Sequence, residues 1–445
     1  MVRLFKNGVY NMIKAERIED LYAAFEPYPL DEPTQINDFF VDTYEARGTN
    51  AVKVMSYALE YSQNPYMKIL FMGHRGSGKS TELSLLKEKE KDKFEIISFH
   101  IQNEVDTGNM TYIDFVFAIM SQIIKYIEEN QHLEFQEDDL DELYEYWFGE
   151  RIIEKTEIDY GEAAVGFKAK LSFLNKIAIT GGGILKTGSE SKKSIRQKIE
   201  PKISHLIMLM NQMIKRINDH LENKGLLLMV EDLDKVSIET AETIFIKYRK
   251  IWLDLNVRMI LTFPIFMAYN SQYNMINEDI DLSCMLSLIK VKNQNKEDYN
   301  IGIDTLKKIV EKRADITLFD NEALEFMIKK SGGAIRDLFE MIRNASFEVL
   351  LHEGRKITQT EAMRAYIQLK SRNERLIRND DEVEKLVQVY QDPQLLTTDD
   401  IMMTLLLKGL VLEYNGERWC GIHPTVEDFL IEKGKIVARR INEEA

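Results

Sequence analysis

Eight consecutive residues, Gly73, His74, Arg75, Gly76, Ser77, Gly78, Lys79 and Ser80, carry the densest chemistry in the chain. Their Gly-x-x-x-x-Gly-Lys-Ser spacing lets the backbone curl so that its amides face phosphate oxygens. A helix starting at the end of the loop adds its positive end. Lys79 is placed to reach terminal phosphates, the Ser80 hydroxyl to ligate Mg²⁺, and Thr81 offers a second hydroxyl beside it. Such a loop needs an acidic partner at the end of a neighbouring buried strand. The apolar run Leu226 to Val230 is followed by Glu231, Asp232 and Asp234. If the first acid holds the magnesium shell, Asp232 can polarise water; if the register is shifted by one, Asp232 is the magnesium residue. Spacing leaves both open. Thr262, at another strand end, and Arg336, after the glycine break Ser331 to Gly333, are candidates to sense or stabilise charge on a transferred phosphate. Arg75, Arg249 and Arg258 are further arginines for local or neighbour-subunit charge compensation.

These side chains require a particular scaffold. Lys68 to Met72 reads as a short apolar strand, Lys79 to Glu88 as a helix, Phe94 to Ile101 as a second strand and Tyr112 to Glu128 as an amphipathic helix. Strand, helix, strand, helix is an α/β beginning. Leu226 to Val230 suits a central parallel strand covered on both faces, and Val257 to Thr262 is another strand after a helical segment from Glu239 to Trp252. The rhythm breaks between Glu129 and Glu200. There an acidic stretch, Glu137 to Glu145, precedes the glycine-rich segment Gly161 to Gly188, which reads as β with a hairpin at Gly181, Gly182 and Gly183. A long helix is expected from Ile199 to His220.

The divisions that follow are an entry segment at 1–66, a core at 67–298 with an insertion at about 129–200, a helical lid at 299–370 and a tail at 371–445. In the tail, two short helices precede Leu410 to Tyr414 and Arg418 to Ile422, which flank the hairpin dipeptide Asn415-Gly416. That order suggests a winged helix. With 445 residues, 44% apolar and 29% charged, the chain can build several cores. Fifty-eight basic against seventy-three acidic residues leave a charge of −15, which argues against a uniformly basic nucleic-acid clamp. Two local basic clusters remain as possible DNA contacts of the tail: Lys370, Arg372, Arg375 and Arg378, and Lys433, Lys435, Arg439 and Arg440. Two distant cysteines, Cys284 and Cys420, indicate neither a disulfide framework nor a thiolate metal site, and they suit a reducing cytoplasm. Nothing reads as a signal peptide or membrane span. Of the seven histidines, His74 borders the loop and His423, beside Pro424, reads as a turn or wing residue.

Together these pieces resemble the AAA+ and STAND superclass of phosphate-loop ATPases, particularly bacterial relatives of origin-recognition-like ATPases, over roughly residues 40 to 365. Gly73 to Ser80 looks like Walker A, Leu226 to Asp232 like Walker B, Thr262 like sensor 1, and Ser331 to Asp337 like the sensor 2 region with Arg336. The resemblance implies ATP and Mg²⁺ as ligands and an ATP-dependent conformational switch, often oligomeric, acting on a macromolecular partner; many such proteins serve in phage defence or mobile-element control. The order of Glu231 and Asp232 and the size of the insertion depart from the usual pattern. Two other readings stand beside it. One is a nucleotide-dependent scaffold or DNA-binding regulator with little turnover, the other a small-molecule kinase.

Overall fold

The computed structural model describes residues 12–130, 140–153, 164–187, 190–221, 224–395, 397–414 and 418–437, with a short backbone ladder between Phe5–Lys6 and Val9–Tyr10. Its centre is a parallel sheet of five strands: β1 Lys68–Gly73, β2 Phe94–His100, β3 Gly225–Glu231, β4 Arg258–Pro264 and β5 Leu282–Met285, in the order β2-β3-β4-β1-β5. The apolar run of β3 splits between two cores. Leu226, Leu228 and Val230 join the cluster beneath the insertion, while Leu227 and Met229 join the cluster under the opposite face. This alternation is why no polar residue interrupts the strand. The edge strand β5 has no counterpart in the sequence reading. The fold is therefore α/β with a parallel sheet and a phosphate-loop connection, interrupted by an insertion and followed by helices and a terminal hairpin.

Helix α1, Ala51–Tyr61, and helix α2, Lys79–Glu90, cover one face through Met55, Leu59, Leu83 and Leu86. Helix α3, Tyr112–Glu129, begins with a reciprocal cap between Thr111 and Asp114 and covers the other. The insertion departs from expectation. The segment read as a β hairpin is helix α4 over Phe167–Thr187; residues 161–163 and 188 lie outside the described residues. Buried Leu171, Leu174, Ile177, Ala178 and Leu185 recur at helical spacing, and Gly181 falls on the same stripe. A Cβ there would lie 2.3 Å from the Phe117 ring of α3, so the glycine allows close approach of two helices and turns nothing. Buried Asp114 also ties the insertion down, accepting from Arg196.

Two other expected helices are broken. Pro201 separates a helix at Glu190–Ile199 from helix α5, Ile203–His220, by a 3₁₀ turn at Glu200–Lys202. The run from Glu239 to Trp252 contains a π-helical turn at Thr243–Lys247.

Four helices, α6 Asn300–Arg313, α7 Asn321–Lys330, α8 Ile335–Leu351 and α9 Gln359–Glu374, share a core built from Leu306, Leu324, Leu338 and Leu369. Ile18, Leu21, Ala24 and Phe25 fill the same core, so within residues 1–66 this stretch packs with these helices, whereas Ala51, Met55 and Leu59 pack with the sheet. The final elements are α10 Asp380–Gln391, α11 Asp400–Lys408, the antiparallel pair β6 Val411–Tyr414 and β7 Trp419–Ile422, and α12 Pro424–Glu432. The turn dipeptide Asn415-Gly416 lies outside the described residues. Leu412, Tyr414 and Trp419 wedge against Leu288 and Ala334, where sheet and helical unit meet. Among the described residues no helix is long and apolar enough to cross a membrane.

The three glycines of α4 are not equivalent, because no atom lies within 4 Å of a Cβ added to Gly183. Gly183→Ala should stabilise the protein by about 0.5–1 kcal/mol through helix propensity. Gly181→Ala should destabilise it by about 1–3 kcal/mol through overpacking against Phe117. Thermal denaturation of the two single variants checks both signs.

Candidate nucleotide site

Sheet register gathers the expected residues at one edge. Gly73 ends β1, Phe71 pairs with Thr262, and His100 pairs with Glu231. The carboxyl ends of parallel strands are where such folds bind ligands, and a cavity of about 510 Å³ opens there, lined among others by Gly76, Gly78, Lys79, Ser80, Asp232 and Thr262. Gly76 and Gly78 adopt φ of 79° and 99°, conformations that curl the loop into the start of α2. Buried Lys79 donates to the carbonyls of Gly73 and His74 at 2.8 and 2.9 Å and meets the Asp234 carboxylate at 2.9 Å. Three oxygens match the three donors of an ammonium.

The strand-end acids occupy distinct environments. Glu231, the last residue of β3, is buried beside the Ser80 hydroxyl, and among the described residues its Oε2 has no donor. Burial raises its carboxyl above the ordinary range, and the His100 charge and the Ser80 hydrogen bond offset this only in part. Asp232 takes a left-handed φ of 70° and turns into the cavity, where Oδ2 meets His100 Nδ1 at 3.0 Å and Oδ1 meets Lys235 Nζ at 2.5 Å. Burial works against its charge, but hydrogen bonds from His100 and Lys235 outweigh it and keep the carboxyl low. The same contact raises His100. Thr262 Oγ1 accepts from the Leu233 amide at 3.0 Å, so it braces the acidic turn while lining the cavity. A hydroxyl and a carboxylate with an unfilled oxygen form a hard-oxygen set suited to Mg²⁺, which takes few protein ligands beside phosphate and water.

Other parts of the chain hold the loop from outside. Arg336 abuts it: a Cβ on Gly76 would fall 2.5 Å from the Arg336 Cβ. Thr81 accepts from the Leu30 amide at 3.1 Å, so its hydroxyl joins α2 to the entry segment. Arg47, which the motif reading did not single out, is buried under the loop and donates to the carbonyls of Ser77, at 2.6 Å, and Ser287. Burial lowers it to about 10, so it stays charged at neutral pH. His74 Nε2 accepts the Glu413 amide at 2.7 Å, joining the loop to strand β6 of the tail. Neither Arg47 nor Glu413 has a local sequence signal. His100 carries a weak one, as the polar end of an expected strand.

The remaining arginines do not converge on the cavity in the same way. Arg75 lines its rim and donates to the Lys235 carbonyl at 3.1 Å. Arg249 pairs with Asp279, and Arg258 opens β4 at the opposite end of the sheet from Thr262. Of the first basic cluster, Lys370 pairs with Glu432 and Glu374, and Arg372 with Asp337 and Glu340. Arg439 and Arg440 of the second lie outside the described residues. His423 is a buried cap residue of α12 facing Asp337 at 3.3 Å, which agrees with a turn role.

No protein-family profile and no curated protein matches the chain. Among solved structures, it is similar to a Walker-type ATPase of Pyrococcus abyssi, at 12% identity and a TM-score of 0.47 over 92% of this chain and 99% of that one. It is also similar to the ORC2 protein of Aeropyrum pernix, at 11% identity and a TM-score of 0.40 over 93% and 98% of the two chains. Cdc6p from Pyrobaculum aerophilum aligns at 10% identity and a TM-score of 0.40 over 95% and 100%. At identities this low the likeness assigns neither substrate nor partner to this chain.

His74 gives the site an acid sensitivity. Burial, aided by the Lys79 charge, drives its imidazole down to about 3. An unfolded chain protonates His74 as pH falls through about 6.5, whereas the folded one resists until near the lower value. The stability from neutral His74 is thus complete above about pH 6.5 and lost as pH falls. His74→Gln keeps an acceptor for the Glu413 amide without a titrating ring. It should reduce the loss of stability between pH 7 and 5 by on the order of 2 kcal/mol, measured by denaturant unfolding at each pH.

Proposed function

We propose that this chain is an ATP-binding and ATP-hydrolysing conformational switch of the origin-recognition-like AAA+ and STAND type, with a winged-helix tail, acting on a macromolecular partner. The observation that carries this reading is the division of labour between adjacent acids: Glu231 lies against Ser80, while Asp232 points into the cavity. Ser80 and Glu231 are the residues that would hold Mg²⁺, whose charge would offset that of the phosphate oxygens. Asp232, kept ionised by His100 and Lys235, can accept a proton from water or orient it. The Thr262 hydroxyl bounds the same space. Lys79 can exchange the Asp234 carboxylate for phosphate oxygens, and Arg336 stands against the loop to compensate charge from the helical unit.

The switch reading draws on how the tail meets the loop. His74 accepts the Glu413 amide, and Tyr414 donates at 2.8 Å to the carbonyl of Gly332, in the glycine turn that leads to Arg336. A nucleotide that moved the loop or Arg336 would therefore strain the seat of β6. We place the chain in homo-oligomers, in which a neighbour's arginine completes charge compensation. The buried free thiols of Cys284 and Cys420, each pushed up by burial to about 12, suit a reducing cytoplasm. The double pairing of Asp232 favours a second reading, a scaffold that binds ATP with little turnover until a partner frees that carboxylate.

Steady-state ATP consumption by the purified protein separates the two. Lys79→Ala should abolish turnover and weaken nucleotide binding. Asp232→Asn should lower turnover by about 10²–10⁴-fold while nucleotide binding changes little. Absence of Lys79-dependent turnover, with ATP still bound, would establish the scaffold instead. Mass in solution should rise on adding ATP, and a monomer in both states would refute the oligomer.

A further inference from the structure

Helix α1 presents one face to the sheet and another to solvent. It buries Ala51, Met55, Ser56 and Leu59 against the sheet, and on its other side Val54, Tyr57 and Tyr61 are 44%, 46% and 73% exposed. Spacings of three and four residues put these three on one stripe, with the two tyrosine rings 5.9 Å apart between centroids. The ammonium groups of Lys53 and Lys89 lie 5.5 and 5.7 Å from the centre of the Tyr57 ring. Of the neighbouring carboxylates, Glu60 meets Lys93, Glu88 meets Lys91 and Glu90 accepts from the Ser56 hydroxyl, while Asp42 and Glu82 line the same recess as Lys53 and Lys89 without pairing with them. No carboxylate among the described residues pairs with Lys53 or Lys89.

We infer that this face of α1 and the end of α2 binds single-stranded nucleic acid. Exposed rings offer stacking platforms to unpaired bases, and flanking ammonium groups that lack carboxylates take the phosphates. A duplex hides its base faces and cannot use the tyrosines. In the first tail cluster Lys370 and Arg372 are matched within the chain, and neither stands beside a pair of exposed rings. Lys79 and Lys89 sit at opposite ends of α2, so the face is about 15 Å from the phosphate loop. The inference stands whether or not the site hydrolyses ATP.

The test is fluorescence anisotropy of the full chain with labelled oligo(dT), oligo(rU) and a duplex, each about 20 units long. Single strands should bind at least roughly tenfold more tightly than the duplex, and the DNA and RNA arms identify which strand is preferred. Tyr57→Ala with Tyr61→Ala should weaken binding roughly tenfold or more, whereas Tyr57→Phe with Tyr61→Phe should bind as the parent does. Lys53→Gln with Lys89→Gln should reduce the salt slope by about 1.4. ATP binding and circular dichroism should be unchanged in every variant, because these side chains are exposed and lie outside the cavity. Equal binding of duplex and single strands, alanine variants that bind like the parent, or no binding with or without ATP would overturn the inference. So would an alanine pair that changes only the mass of the protein in solution, which would assign the face to a protein contact.

Discussion

A buried ammonium must be surrounded by oxygen, and the architecture around Lys79 follows from that need. Two oxygens come from the loop itself and the third from Asp234, beyond the end of β3. The phosphate loop and the acidic turn are thereby electrostatically linked across the sheet. Leaving either charge unmatched at such depth would cost several kcal/mol. Phosphate oxygens are the chemical equivalent of what Asp234 supplies, so a ligand can replace this carboxylate without exposing the lysine to an apolar wall. The acids around it are separated by the same geometry: Asp234 toward the lysine, Glu231 toward Ser80, Asp232 toward His100 and the cavity.

The loop is also where distant parts of the chain converge. Arg47 reaches it from the segment before α1, Arg336 from the start of α8, and the Glu413 amide from β6. A loop with two glycines at positive φ has little rigidity of its own, and these contacts hold it. They also give the loop a mechanical connection to the helical unit and the tail, whose apolar junction at Leu288, Ala334, Leu412 and Trp419 lies alongside. The cavity and the tail are thus joined through hydrogen-bonded and packed groups.

Much of the site was legible in the residues because its chemistry depends on local spacing. Gly76, Gly78, Lys79 and Ser80 act within a single turn of chain, and Glu231 and Asp232 are announced by the apolar strand before them. Thr262, expected at a strand end, and Arg336, expected after the glycine break, both line the cavity. The insertion was misread because three adjacent glycines look like a turn, whereas the apolar stripe of α4 runs through Gly181 and needs a missing side chain there. That need is visible only with Phe117 on the facing helix.

Local sequence determined the class of fold, the loop that can hold phosphates and the acids available to serve it, since strand burial and loop curvature are properties of neighbouring residues. Tertiary structure alone decided which acid faces Ser80, because adjacent residues at a strand end point in different directions once Asp232 takes its left-handed turn. It alone brought Arg47, His100 and Glu413 to the loop, and it alone consumed the charges of Lys370 and Arg372 within the molecule. Electrostatic and hydrogen-bond partners are chosen by distance in space, and a cation's place in the chain says nothing of which carboxylate the fold will bring beside it.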